Sequence, residues 1–219
     1  MIATIVNTAA VVAGGLIGLL AKKGLPERIS KGIMAAIGLM LICSGVKGYF
    51  DGQSSIIAVL SLALGTGLGE LLRLEERLNH LGERIGARVS RSGGSRVGEG
   101  LVTATLLFCV GAMAVLGSLQ SGLAGDHTTL YTKSLMDFIS AILLASTYGI
   151  GVVLSAIGVL LYQGAITLLS GLLAPVMTEA AIAELSAVGS IVLVGLGLNL
   201  TGVAKLRVMN MVPSIFIAI

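Results

Sequence analysis

The chain has 219 residues, of which 55% are hydrophobic and only 11% are charged, and its formal net charge is +3 at pH 7. A soluble domain of this length cannot bury so much apolar surface, so the composition excludes a soluble globular protein. It predicts an all-α polytopic transmembrane bundle, with residues 1–219 as a single transmembrane domain.

Five apolar runs approach the roughly 20 residues that cross a bilayer as a helix. A sixth apolar region, Leu135–Ala174, is long enough for two spans, and the segment Val208–Ile219 is too short to cross comfortably. We therefore expect seven or eight spans, some of them short or broken. The five runs are Ile2–Ala21, Gly32–Phe50, Ile56–Leu72, Leu101–Leu119 and Ile182–Leu200.

The basic residues are concentrated in alternate loops. If residues 135–174 cross the bilayer twice, twelve of the fourteen Lys and Arg residues lie on one side, and if they cross once, ten do. Because basic loops stay in the cytoplasm, this bias favours two crossings and an amino terminus outside. The break Tyr148–Gly151 also suits a re-entrant helix, because the arm Ser134–Thr147 is short for a span.

Residues 70–98 form the longest polar stretch. Leucines spaced by three and four residues between Glu70 and Arg91 predict a cytoplasmic amphipathic helix, and Ser90–Gly98 predicts a flexible joint. The helix either lies on the anionic leaflet or extends the third span and packs on a partner, and the pattern fits both. The basic residues expected to face lipid are Arg73, Arg77, Arg84 and Arg88.

Small-residue motifs recur in the second, fourth and seventh apolar segments, at Gly38–Gly45, Gly111–Ser118 and Gly189–Gly195. If residues 135–174 cross the bilayer twice, segments six to eight repeat segments one to three with inverted topology. Inverted repeats of this kind underlie many transporters. Alternatively, the glycines serve only close helix packing, within the chain or in a homodimer.

Asp137 is the strongest candidate for a functional residue, because an ionisable group inside a membrane segment is costly to keep there. The alternative is an ion pair between Lys133 and Asp137 at the membrane interface. The other polar side chains of the spans either line a pathway or make interhelical hydrogen bonds. The candidate pathway residues are Asn7, Asp137, Tyr148, Gln163 and Asn199.

The sequence shows no catalytic motif and no set of metal ligands. Asp126 and His127 indicate a loop tip or a helix cap, and Cys43 and Cys109 are expected as small core residues rather than as a disulfide. We therefore expect no enzymatic activity, no cofactor, no bound metal and no nucleic-acid partner.

Several motifs resemble the bacterial YqgA/YdfK family of inner-membrane proteins, domain of unknown function 554. They are Gly125–Asp137, Tyr148–Gly151, Tyr162–Gly164, Gly69-Glu70 and Gly197–Pro213. The resemblance covers essentially the whole chain and implies the cytoplasmic membrane of a bacterium. It implies little about activity, because members are described only as membrane or transport proteins, and it supplies no binding residues.

The sequence predicts a small secondary transporter or channel for a small polar solute or ion, with its site near the Tyr148–Gly151 break. The alternative is a structural or regulatory membrane protein that binds anionic lipid or a cytoplasmic partner through the helix at residues 70–91.

Overall fold

The computed structural model of the chain describes residues 1–22, 26–89, 94–110 and 112–218, and all the regular structure in these residues is helical. The predicted all-α fold is confirmed. A 3-10 helix, Val208–Met211, accompanies the α-helices. The α-helices are α1 (Ile2–Lys22), α2 (Glu27–Tyr49), α3 (Ser55–Leu72), α4 (Leu74–Val89), α5 (Gly94–Cys109), α6 (Ala112–Leu123), α7 (Thr128–Tyr148), α8 (Ile150–Leu168), α9 (Ser170–Leu173), α10 (Glu179–Leu200) and α11 (Pro213–Ile217).

Within the described residues, five helices are long and apolar enough to cross a bilayer, namely α1, α2, α3, α8 and α10. A broken sixth span is obtained if α5 and α6, which are bent by 59° at a short break, are counted together. Helix α7 has 21 residues but is more polar, and it is not among the five. The expected number of seven or eight spans is therefore not confirmed.

Two boundaries differ from the expected ones. The run Leu101–Leu119, expected as one span, is divided between α5 and α6. The arm Ser134–Thr147 is not short, because α7 already begins at Thr128, whose backbone N–H donates to Asp126 Oδ1 at 3.0 Å. At 1.5 Å per residue, the 21 residues of α7 extend over about 31 Å. The expected break is found at Gly149, which has φ of 79°.

The polar stretch is also divided differently from expectation. Helix α3 continues through Glu70 to Leu72 and ends at Arg73, a left-handed residue with φ of 50°. The amphipathic helix is therefore α4, which starts at Leu74. Of the expected joint at 90–98, residues 90–93 lie outside the described residues, whereas Gly94 to Gly98 form the start of α5. The flexibility of the joint stays a prediction.

The chain divides into two compact units, each formed by separate segments of sequence. The first unit consists of Met1–Lys31, Leu78–Cys109 and Met113–Leu173. The second unit consists of Gly32–Arg77, Val110–Ala112 and Ala174–Ile219. That residues 1–219 act as a single transmembrane domain stays a prediction.

In the first unit, α1 packs closely against α7. The backbone of Gly14 lies against Phe138 and the backbone of Gly18 lies against Ile142. The contacts advance in the same direction along both helices, which are therefore parallel. A Cβ atom at either glycine would overlap a carbonyl oxygen of α7, so the close approach requires glycine.

The same helix α1 packs against α8 in the opposite direction. Thr4 contacts Thr167, and Gly15 lies against Val153 further along α1. The contact therefore moves backwards along α8 as it moves forwards along α1. Helices α1 and α8 are antiparallel, and α7 and α8 form an antiparallel pair joined at Gly149.

In the second unit, α2 and α10 are antiparallel and cross at small residues. Gly38 lies against the backbone oxygen of Gly197, and Gly45 lies against the backbone oxygen of Ser190. The two backbones approach closely because no side chain separates them.

Helix α3 packs in a similar way against the C-terminal segment. Gly69 lies against the backbone of Asn210, and Gly65 lies against the backbone of Ser214. The C-terminal segment therefore runs antiparallel to α3. As expected, it is short, with the 3-10 helix and α11 together covering Val208–Ile217.

Candidate functional site

A cluster of polar side chains is buried among α1, α7 and α8 of the first unit. It consists of Asn7 on α1, Lys133 and Asp137 on α7, and Gln163 on α8, and we refer to these four residues as the polar cluster. Asn7 and Gln163 are 0% exposed, and Lys133 and Asp137 are each 6% exposed. Because these side chains are removed from water, the cluster must satisfy its own charges and hydrogen bonds.

Asp137 is the centre of the cluster. Its Oδ2 atom accepts a hydrogen bond from Asn7 Nδ2 at 3.0 Å and one from Lys133 Nζ at 2.5 Å. Asn7 Nδ2 also donates to Gln163 Oε1 at 3.1 Å. The four side chains thus form one continuous network that connects three helices.

The ion pair between Lys133 and Asp137 is an intrahelical pair, as expected, and it is buried within the first unit. Both side chains are only 8% exposed. Taking two charges out of water is expensive, and the geometry of the pair must compensate for that cost. The helical spacing of four residues brings the two charges together before any tertiary contact forms.

Two atoms of the polar cluster have no hydrogen-bond partner. Asn7 Oδ1 is a free acceptor and Gln163 Nε2 is a free donor, and both atoms are buried. Buried polar atoms are usually satisfied, so exceptions require an explanation. One free acceptor and one free donor next to a buried ion pair can bind a water molecule, an ion or a small polar solute.

The polar side chains continue one turn beyond the cluster. The hydroxyl oxygens of Thr4 and Thr167 are 3.3 Å apart, and both residues are buried. Thr4 precedes Asn7 on α1, and Thr167 follows Gln163 on α8. Polar groups therefore extend from the cluster towards the amino-terminal end of α1.

A model of the family described as a protein of unknown function (DUF554) matches residues 2–219. The chain belongs to this family. It is 34% identical over 221 residues to the uncharacterized membrane protein YdfK of Bacillus subtilis (strain 168), an alignment that covers 99% of this chain and 93% of YdfK. It is 29% identical over 222 residues to the uncharacterized protein YqgA of Escherichia coli (strain K12), covering 100% of this chain and 94% of YqgA. No solved structure matches the chain.

The resemblance to the YqgA/YdfK family is thus confirmed. With five apolar helices of spanning length in its described residues, this DUF554 chain is a polytopic membrane protein. The family assigns no activity to the polar cluster, so the geometry must indicate one.

Of the five predicted pathway residues, three meet in the polar cluster and two lie elsewhere. Tyr148 is buried in the first unit and donates from its hydroxyl to Glu99 Oε1 at 3.3 Å. It is eleven residues after Asp137, or about 16 Å further along α7. Asn199 lies in the second unit, where its side chain bonds to the backbone N–H and carbonyl of Leu206, both at 2.7 Å, and closes a loop.

The four basic residues that were expected to face lipid lie at the end of α3 and on α4. Arg73 and Arg77 are exposed, as is Arg84, and the side chain of Arg88 lies outside the described residues. Arg73 is 3.9 Å from Glu76, with both side chains more than half exposed. Exposed arginines are available to anionic lipid headgroups, and lipid binding by this region stays a prediction.

A second group of polar residues, which we name the Glu75 cluster, holds the C-terminal segment to the α3–α4 junction. Asn210 Oδ1 accepts from the backbone N–H of Glu75 at 2.8 Å, and Glu75 Oε2 accepts from the N–H of Met209 at 3.3 Å. Glu70 and Arg207 form an ion pair at 3.1 Å. Burial raises the pKa of Glu75 above its usual value, although the bond from Met209 opposes the shift.

Asp126 has a structural role at the start of α7. The hydrogen bond from the Thr128 N–H lowers the pKa of the Asp126 carboxyl. Among the described residues, no group of three or more His, Cys, Asp or Glu side chains is placed to hold a metal ion. Cys109 is buried and Cys43 is exposed, so Cys43 is not the core residue that was expected.

Sequence reasoning identified Asn7, Asp137 and Gln163 but treated Lys133 only as a partner of Asp137. The spacing of four residues was the available signal, because it places both charges on one face of α7. Glu184 was missed. It lies in an apolar run near the start of α10 and is buried at 5% exposure.

Proposed function

We propose that this DUF554 chain is a secondary transporter or channel that carries a small polar solute or ion across the bacterial inner membrane. One observation supports the proposal most directly. Beside the buried pair of Lys133 and Asp137, Asn7 Oδ1 and Gln163 Nε2 are buried without partners. A passing solute can satisfy both atoms, and ionisable groups inside membrane proteins commonly mark transport pathways.

The ion pair suggests how a solute enters the polar cluster. A cation can take the place of Lys133 next to Asp137, and an anion can take the place of Asp137 next to Lys133. Either exchange keeps one of the two buried charges paired, and the displaced side chain must be neutralised by proton transfer or by an accompanying counter-ion. Asp137 is the proposed coupling group, and Asn7 and Gln163 are the proposed contacts to the solute.

The helix packing supports an inverted repeat of segments one to three by segments six to eight. Helices α1 and α8 are antiparallel, as are α2 and α10, and so are α3 and the C-terminal segment. Gly38 faces Gly197 while Gly45 faces Ser190, so small residues form the α2–α10 contact at both positions, as the recurring small-residue motifs predict. Transporters built from such repeats place their sites at the interface between the repeats, and the polar cluster lies where α1 of segment one meets α8 of segment six.

The proposed topology places the amino terminus outside. Helices α1 and α7 are parallel, so their first residues lie at the same end of the first unit, and α8 returns to that end. This arrangement fits two crossings by α7 and α8. The positive-inside rule then places twelve of the fourteen basic residues in the cytoplasm.

Flux measurements on the full chain in proteoliposomes test the proposal. We expect concentration jumps of KCl, NaCl, sodium acetate or glycine to produce a saturable current on a solid-supported membrane. Asp137→Asn should reduce that current at least tenfold, because it removes the charge that the solute must exchange with. The matched control is Asp126→Asn, just before the same helix, which retains a hydrogen-bond acceptor for the Thr128 N–H and should keep the current.

The double variant Lys133→Met/Asp137→Leu separates folding from transport. Replacing a buried ion pair by apolar residues often preserves stability. The double variant should therefore remain folded and carry no current. Wild-type current in a folded double variant would exclude the polar cluster from the pathway.

The second candidate function is a structural or regulatory membrane protein that binds anionic lipid through α4. The exposed positions of Arg73, Arg77 and Arg84 favour this alternative. Replacing Arg73, Arg77, Arg84 and Arg88 together with Gln should abolish thermal stabilisation by added phosphatidylglycerol if α4 binds lipid. A transporter should largely keep its current in the same variant, so the two measurements distinguish the two functions.

A further inference from the structure

A cavity of about 260 Å³ lies in the second unit at the turn between α2 and α3. Its walls include the rings of Tyr49 and Phe50, the hydroxyl-bearing residues Ser54 and Ser55, and Glu184 from α10. Ligand sites for drug-sized molecules are about 300–1,000 Å³, so this cavity suits a smaller molecule. The polar cluster contributes none of these residues.

Glu184 is the charged group of the cavity. It is 5% exposed, and its Oε1 atom accepts hydrogen bonds from the backbone N–H groups of Gln53 and Ser54, at 2.7 and 2.8 Å. Its Oε2 atom is buried and has no partner. The turn thus holds the carboxylate in a fixed orientation and leaves one oxygen without a hydrogen-bond donor.

The aromatic rings form the other half of the site. Tyr49 and Phe50 are in edge-to-face contact with their ring centroids 5.6 Å apart. Phe50 is 76% exposed, so the cavity has an open side. The hydroxyl of Tyr49 donates to Ser55 Oγ at 3.1 Å, which fixes the Tyr49 ring.

We propose that this cavity binds a small primary ammonium group, with Glu184 Oε2 as its charged acceptor and the faces of Tyr49 and Phe50 against its alkyl chain and charge. Aromatic rings attract organic cations, and desolvation strengthens that attraction. A calcium or magnesium ion needs about six oxygen ligands, whereas this cavity offers one unpartnered carboxylate oxygen, two serine hydroxyls and two aromatic rings. An ammonium group fits this set of contacts better than a metal ion does.

Calorimetric titration of the full chain in detergent with propylammonium chloride tests the proposal, with NaCl keeping the ionic strength constant. We expect saturable binding to the wild-type protein and at least tenfold weaker binding to Glu184→Gln. The Gln side chain retains an oxygen for the N–H groups of Gln53 and Ser54, so the turn should persist. The matched control is Asp51→Asn, which removes an exposed carboxylate from the same turn and should bind as the wild type does.

Phe50→Leu provides a second variant at an exposed position, where misfolding is not expected. Loss of one aromatic face should weaken binding about threefold, the range of an exposed cation–π contact. Absence of saturable binding to the wild type would overturn the proposal. The proposal would also be overturned if Phe50→Leu and Glu184→Gln both bound propylammonium as tightly as the wild type does. If Glu184→Gln does not fold, wild-type affinity in Phe50→Leu alone would overturn it.

A primary ammonium group can belong to a free amine or to the headgroup of phosphatidylethanolamine. Repeating the titration in nanodiscs of phosphatidylethanolamine and of phosphatidylglycerol distinguishes these sources. Weaker binding of propylammonium in phosphatidylethanolamine, through competition, assigns the site to the headgroup. Equal affinity for propylammonium in the two lipids assigns the site to a free amine. In either case the ammonium group contacts Glu184.

Discussion

Each unit of this DUF554 chain contains an ion pair between a basic and an acidic side chain, and the two pairs differ chiefly in burial. The side chains of Lys133 and Asp137 in the first unit are both 8% exposed. The side chains of Arg207 and Glu70 in the second unit are 59% and 45% exposed. The same type of interaction therefore has a different energetic role in each unit.

A buried charge that loses its partner cannot be rescued by water, so the pair in the first unit must stay together or be exchanged for a ligand. An exposed pair competes with water and salt, and its contribution is small. For this reason Asp137 carries a functional hypothesis, whereas the pair of Arg207 and Glu70 contributes little to the packing of the C-terminal segment. The second unit relies instead on close backbone contacts at glycines such as Gly69.

The largest expected effect is at the buried pair. Lys133→Met leaves Asp137 buried without its cation, and we expect a loss of about 3 kcal/mol in the free energy of unfolding. Equilibrium unfolding in mixed micelles with increasing SDS, followed by circular dichroism, measures this loss.

The double variant Lys133→Met/Asp137→Leu completes the comparison, because it removes both charges. It should recover most of the stability that Lys133→Met loses. If the single variant is as stable as the wild type, the pair is not buried as described, and the contrast between the two units is wrong.

An intermediate effect is expected at the α3 contact of the second unit. A Cβ atom at Gly69 would overlap the backbone of Asn210, which is not free to move as a side chain is. We expect Gly69→Ala to lower the free energy of unfolding by about 2 kcal/mol, because overpacking forces the backbone apart. The same micelle titration detects the change.

Gly67 is the matched control, because it lies on the same helix and a Cβ atom there would meet nothing within 4 Å. Gly67→Ala should be neutral or stabilising by up to about 1 kcal/mol, since alanine favours a helix over glycine. Equal effects of the two substitutions would show that α3 does not pack on the C-terminal segment at Gly69.

The smallest effect is expected at the exposed pair. Arg207→Gln should leave the unfolding midpoint unchanged, and raising the salt concentration should alter the wild type and the variant equally. The measurement is the same titration at low and at high salt. If Arg207→Gln shifted the midpoint as much as Lys133→Met does, burial would not explain the difference in stability contribution between the two ion pairs.

Much of the fold was predictable from local patterns. Long apolar runs predicted α1, α2, α3, α8 and α10, and the leucine spacing predicted α4. The glycine at position 149 predicted the break between α7 and α8. These features depend on residues close in sequence, so hydropathy and backbone freedom suffice to identify them. The start of α7 was missed because Thr128 to Lys133 is polar and resembles a loop.

The candidate site was only partly predictable. The sequence by itself determined that the chain is a helical membrane protein and that Asp137 is an unusual residue within it, because composition and helical spacing are local properties. Only the tertiary structure decided that Asn7 and Gln163 meet Asp137, that Asn199 does not, and that Glu184 lines a cavity. The contacts of Asn7, Gln163 and Glu184 join residues more than one hundred positions apart, and tertiary packing, rather than any local pattern, brings them together.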